Sequence, residues 1–354
     1  MVSGSQGVIG RAEWYKAHAN DFNLVFLGDS RTYCGVHSFL IDPLLGTNSI
    51  NLAQFAHWLP TQYPMIQDMV KNIPSNTTVV WSIGHQNFFA SSGIQRVYPV
   101  GIQHAIEYVT WGVPRQGLLD NVLYYNPLTY LVAARSEARQ NLFKRFEAPV
   151  HLDIEFIKSA HAETDGIASI LQSCNQVDLS CVQQAARKDP RFADASLTQE
   201  NGKVNSIVFY TNRGSYFRVE LDRAFFRSKQ AELAPKSMAE KEANAWTIPA
   251  ADPGMWRLFE EILSEFKKHG VKLVVNEIEE APFMYSHPLV RGKYQAFMHN
   301  EVKKRVEQEG YTYISVDYDQ LQADDYFDYN HLNSKGAFKY AALLSAQIKP
   351  HLKP

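Results

Sequence analysis

The stretch "LVFLGDSRTYCGV" (residues 24–36) opens as one kind of structure and closes as another. Its first four residues are apolar on both faces, the pattern of a strand in a parallel sheet covered by helices on either side. The run then breaks on Gly28-Asp29-Ser30, with neither Pro nor Asn to finish an ordinary turn. Beyond the break Val36, Phe39, Leu40 and Leu44 recur at helical spacing. The reading is a strand, a sharp turn at Gly28 and a helix over about 30–45 with Ser30 capping its N-terminus.

Four more runs resemble the first. "SINLA" (49–53) and "TVVWSIG" (78–84) follow closely, and "VKLVVNEI" (271–278) and "TYISVD" (312–317) come late. Amphipathic segments near 60–73, 253–269, 291–309 and 334–348 alternate with them. A βαβα order of this kind predicts an α/β fold, a doubly wound and mostly parallel five-stranded sheet.

The middle of the chain reads differently. From about 95 to 250 it carries helical patterns (117–145 and 153–188) and one hairpin, "SIVFYT" and "YFRVEL" joined by "NRGS". We read this region as an insertion in a single domain over 21–354, able to cover the active edge as a lid or a substrate wall. Its aromatics Tyr124, Tyr125, Tyr216 and Phe217 are candidates for stacking on sugar rings, or are core.

Composition narrows the function. The 354 residues are 45% hydrophobic, enough for a large core, and the formal charge is −2. With no basic stripe interleaved with aromatics, nucleic acid is not an expected partner. No stretch approaches the 18 apolar residues of a membrane span. The opening "MVSGSQG" is small and polar, so residues 1–20 are expected to be a stem or linker, compatible with a membrane anchor upstream. Of three cysteines, Cys34 is expected to be a small core residue. Cys174 and Cys181 could close a short disulfide loop or stand as two thiols.

Ligands of open α/β sheets bind at the carboxyl ends of the strands. Ser30 falls at such an end, where a hydroxyl can attack a carbonyl while backbone amides hold the oxyanion. Asp29 and Ser30 also suit a helix N-cap and nothing more. A serine needs a base, and the chain holds 12 histidines. "DYFDYNHLNSKG" singles out His331, placed after the last strand and before a helix beginning near Asn333. Asp328, three residues earlier, can fix the tautomer of its ring. Arg31 could hold an anionic group of a polymer, or be a solvated residue of the helix start. A phosphoesterase metal site built from Asp29, His85, Asp328 and His331 is a weaker alternative; we expect no metal and no cofactor.

"FLGDSR" (26–31) and "DYNHLNSKG" (328–336) resemble the first and last blocks of the SGNH/GDSL hydrolase superfamily. The resemblance implies a three-layer α/β/α fold and a site with Ser30 as nucleophile, His331 as base and Asp328 as its orienting acid. The middle blocks depart from the pattern. Where the family has an oxyanion glycine, "INLAQFAHW" offers Ala53 or Gln54. Where it has an oxyanion asparagine, "SIGHQNFF" offers Gln86 or Asn87, and His85 reads as a wall residue. The same stretch is similar to the D-alanyl transfer proteins of teichoic-acid modification, a likeness that favours Gln86. Alginate and cellulose O-acetylation accessory proteins are similar in the same way.

The resemblance implies a serine-dependent acyl esterase or O-acyltransferase outside the cytoplasm, in the periplasm or at the cell surface. An acyl donor and a glycopolymer acceptor would be its substrates and a membrane-bound O-acyltransferase its partner. The alternative is a catalytically inactive partner of such a system that has kept the fold.

Overall fold

The computed structural model describes residues 4–89, 94–95, 97–125, 195–200, 203–210, 216–220, 251–284 and 288–352, with a few isolated positions between 231 and 239. Cys174, Cys181, the 153–188 helical pattern, the "NRGS" turn and the part of 117–145 beyond Tyr125 lie outside them.

The core of the fold is a sheet of five parallel strands. They are β1 (Leu24–Leu27), β2 (Ser49–Asn51), β3 (Thr78–Ile83), β7 (Lys272–Glu277) and β8 (Thr312–Ser315), in the order β2-β1-β3-β7-β8. β1 to β3 and β7 are buried along nearly their whole length, which is why they read as uninterrupted apolar runs. Alternate side chains enter two separate cores. Val25, Leu27, Val79, Trp81, Leu273 and Val275 face one side. There they meet α1 (Gly4–His18), α4 (Leu59–Met69), α5 (Ile102–Trp111), α6 (Leu118–Tyr124) and α7 (Pro253–Lys268). Leu24, Phe26, Val80, Val274 and Ile314 face the other, against α3 (Ser38–Leu45) and α10 (Ser334–Ile348). The result is a three-layer α/β/α fold. Two further helices, α8 (Pro288–Phe297) and α9 (Lys304–Gln308), are joined by a π-helical turn and lead into β8.

Several expectations need correction. The helix expected over 30–45 is two helices, α2 (Ser30–Gly35) and α3, because Val36 and His37 are extended between them. Leu44, one of the apolar residues at helical spacing, is 50% exposed. The cap of α2 is Asp29, whose side chain accepts from the Arg31 N–H, and Ser30 is the first helical residue. The segment 1–20 is not a linker throughout, since Arg11, Ala12 and Tyr15 of α1 are buried. The hairpin is part of a three-stranded antiparallel sheet, β4 (Ala195–Glu200), β5 (Lys203–Tyr210) and β6 (Tyr216–Glu220). Phe217 is fully buried in the core beside α3 and α10, so it is no sugar-stacking surface. Among the described residues no helix is long and apolar enough to cross a membrane.

Candidate active site

The strand order reverses around β1: the chain passes from β1 to β2 on one side and then to β3 on the other. Crevices at such switch points are where open α/β sheets bind ligands. Gly28 makes the turn out of β1 at φ +153°, and a Cβ there would lie 2.3 Å from Thr32 Oγ1. A side chain at this position would be both strained and overcrowded. The turn delivers Ser30 to the mouth of the switch point.

A tight loop supplies the other half. Asp328 Oδ1 accepts the backbone N–H groups of Asn330 at 2.7 Å and His331 at 2.8 Å, an Asx turn that folds the carboxylate over its own loop. Its second oxygen, Oδ2, is thereby placed 2.8 Å from His331 Nδ1. The loop is closed by Phe327 N–H to the His331 carbonyl at 3.0 Å and by the Asn333 cap of α10. An ionised carboxylate only accepts, so Nδ1 carries the proton and Nε2 the lone pair. Nε2 lies 2.8 Å from Ser30 Oγ.

Ser30, His331 and Asp328 thus form one continuous hydrogen-bonded chain. Burial pushes the Asp328 carboxyl up, but the His331 ring and the two backbone donors outweigh it, and the net displacement is downward. The imidazole sits between aromatic rings. Phe327 stacks on it with centroids 5.4 Å apart and planes 12° apart, and Phe55 meets it edge-on at 5.9 Å.

The other predicted residues divide. Ala53 is buried at the exit of β2, but its N–H donates to Asn51 Oδ1 at 2.9 Å. It is engaged within its own turn, and this corrects its assignment as an oxyanion donor. Arg31 is neither solvated nor open to a polymer. It is 3% exposed, ion-paired with Asp29, and donates to the Ile278 carbonyl at 3.0 Å. Close approach at Gly84 makes room for it: a Cβ there would meet the Ile278 carbonyl at 2.3 Å and Arg31 Nη1 at 2.6 Å.

Asn87 is fully buried. Its Oδ1 accepts from Gly84 N–H at 2.8 Å, and its Nδ2 donor has no partner among the described residues. Gln86 is half-buried at the same turn. His85 is buried and stacks on Tyr294 at 4.0 Å. With Asp29 paired to Arg31 and His85 stacked, the four-residue metal alternative is not assembled. No metal-ligating cluster occurs among the described residues. Cys34 is a buried free thiol, pushed well up by burial.

Three further contributions come from outside the triad. Phe55 and Phe327 flank the imidazole, and Phe55 directly follows the Ala53-Gln54 pair. β6 packs on α2. It brings Tyr216 against Phe55 at 5.3 Å, and Arg218 over Phe327 at 4.6 Å. The insertion therefore borders this edge of the sheet. Arg11 reaches the same edge from α1. Neither a family model nor a curated protein sequence matches the chain.

Proposed function

We propose that this protein is a serine-dependent acyl esterase or O-acyltransferase of the SGNH/GDSL type, acting through an acyl-serine intermediate. The observation that carries the reading is the unbroken path from Asp328 Oδ2 through both ring nitrogens of His331 to Ser30 Oγ, each step 2.8 Å. A surface serine, a capping histidine and a loop aspartate have no reason to align in this way.

In the proposed reaction Ser30 Oγ attacks the acyl carbonyl and its proton passes to His331 Nε2. The imidazolium is stabilised by Asp328, which stays ionised. The tetrahedral oxyanion is held by Asn87 Nδ2 with the Ser30 backbone N–H. The unpartnered buried amide favours Asn87 over Gln86, because a buried donor without an acceptor is costly unless a ligand supplies one. On collapse the proton returns to the leaving group, and water or a sugar hydroxyl then takes the acyl group from Ser30. One well-placed donor of this kind contributes about 2.7–4 kcal/mol to the barrier.

The wider setting rests on the sequence resemblance: an envelope glycopolymer as acceptor, an extracytoplasmic location and a membrane-bound O-acyltransferase as partner. A fluorophosphonate probe tests the catalytic reading. One adduct on the wild-type chain, absent from Ser30→Ala, supports it. No adduct on a folded wild-type chain would favour the inactive-partner alternative.

A further inference from the structure

Helix α1 carries a cation into the interior. Arg11 is 4% exposed, and among the described residues no carboxylate is paired with it. A buried charge without a counter-charge is costly, so the few contacts it makes must offset much. Its Nη2 donates to the Ala53 carbonyl at 2.7 Å, and its guanidinium carbon lies 5.0 Å from the centre of the Tyr33 ring.

Both partners border the candidate site. Tyr33 and Ala53 pack with Phe327, the ring that stacks on His331. Tyr33 also meets Phe55 edge-on at 5.1 Å. Ala53 and Phe55 belong to the loop between β2 and α4, whose shape is unusual. Ala56 sits at φ +53°, a region residues with a Cβ rarely occupy. Such a conformation persists only where the surroundings over-determine it. Two of the loop's bonds are local, Ala53 N–H to Asn51 Oδ1 and Phe55 N–H to Gln54 Oε1. Arg11 adds a bond from a separate helix. Because the peptide unit is planar, fixing the Ala53 carbonyl also fixes the plane of the Ala53–Gln54 peptide.

We propose that Arg11 is a positioning residue for the candidate active site: by holding the Ala53 carbonyl it sets the shape of the 52–58 loop, and so the placement of Phe55 and Tyr33 around the His331 ring. This rests on the acyl-transfer reading above. It makes the seating of α1 a determinant of turnover, although α1 contributes no reacting group.

Arg11→Met and Arg11→Lys test the proposal. In folded Arg11→Met, hydrogen exchange of the 52–58 amides should accelerate at least tenfold while β1, β3 and β7 stay protected. The kcat for a small activated acetyl ester should fall ten- to a hundredfold with KM within threefold of wild type. A residue that merely stabilised the fold would lower the urea midpoint and leave kcat of the folded fraction alone. Folded Arg11→Met with unchanged exchange and unchanged kcat overturns the proposal. If Arg11→Met does not fold, Arg11→Lys decides, since it keeps the charge and a donor but not the planar head. It should lose three- to tenfold in kcat at unchanged KM, and wild-type kcat would overturn the proposal. A wild-type chain with neither ester turnover nor phosphonate adduct would refute the acyl-transfer reading, and the exchange measurement would still decide whether Arg11 holds the loop.

Discussion

His331 Nε2 lies 2.8 Å from Ser30 Oγ across a sequence separation of 301 residues. Each partner is placed locally, Ser30 by the Gly28 turn out of β1 and His331 by the Asx turn on Asp328. The sheet then brings the two turns to one edge. Local preferences and global topology agree here, which is what makes a hydrogen bond between such distant positions sustainable.

Removing the proposed nucleophile should separate activity from stability. Ser30→Ala is expected to lose at least about a thousandfold in kcat for an activated acetyl ester. It deletes one half-buried hydroxyl, so the melting temperature should stay within a few degrees of wild type. Retained turnover in the purified variant would contradict the assignment.

Asp328→Asn should leave the loop in place and disable the proposed base, with a loss of up to about ten-thousandfold in kcat. It also has a pH signature. The Asp328 carboxyl is held below its ordinary value, so the folded state binds its proton less readily than the unfolded chain, whose value is about 3.9. The stabilisation from its ionised form is therefore complete above about pH 4 and lost as pH falls through the lowered folded value. The stability difference between wild type and Asp328→Asn should be flat from pH 7 to 5 and shrink below pH 4 in urea titrations. A gap that widens in acid would contradict this.

Two buried histidines contribute to the acid sensitivity of the fold. Burial pushes the His37 ring down to about 3 and the His57 ring down to about 4. In the unfolded chain both titrate near about 6.5. As pH drops below that, the unfolded state takes up protons that the folded state refuses. Stability should then fall by about 1.4 kcal/mol per pH unit for each ring. The loss should run to about pH 4 for His57 and about pH 3 for His37. Urea midpoints at pH 7 and 5 measure it, and His57→Phe should show about half the wild-type loss. A midpoint independent of pH over this range would contradict the buried neutral state of both rings.

Asn87→Asp distinguishes the two candidate oxyanion residues. It keeps an oxygen for the Gly84 N–H, replaces the amide donor with an acceptor, and adds a buried negative charge beside Arg31 where the oxyanion would form. A loss of about a hundred- to a thousandfold in kcat is expected, against less than about threefold for Gln86→Ala. The reverse order would move the role to Gln86.

The sheet was legible because its strands are buried on both faces, and "LVFL" and "TVVWSI" admit few other readings. The DxxH turn was legible because its bonds are local. What escaped depends on distant neighbours. The break at Val36–His37 is hidden by apolar residues that keep helical spacing across it. Arg31 looked solvated, but the residues just past β3 and β7, Gly84 and Ile278, close over it, contacts no window around residue 31 contains. α1 lacks a clear apolar stripe, and its buried residues include the charged Arg11. The preference proposed for Asn87 over Gln86 rests on a buried amide without an acceptor, a property only the packed turn displays.

Intact-mass analysis after brief incubation with an activated acyl ester reaches the central claim most directly. The account predicts one added acyl group on the wild-type chain, mapped to the peptide containing Ser30 and missing from Ser30→Ala. Trapping should increase in His331→Ala only if a base is added. An acyl group found on another residue, or turnover with no serine adduct under conditions that trap such intermediates, would contradict it.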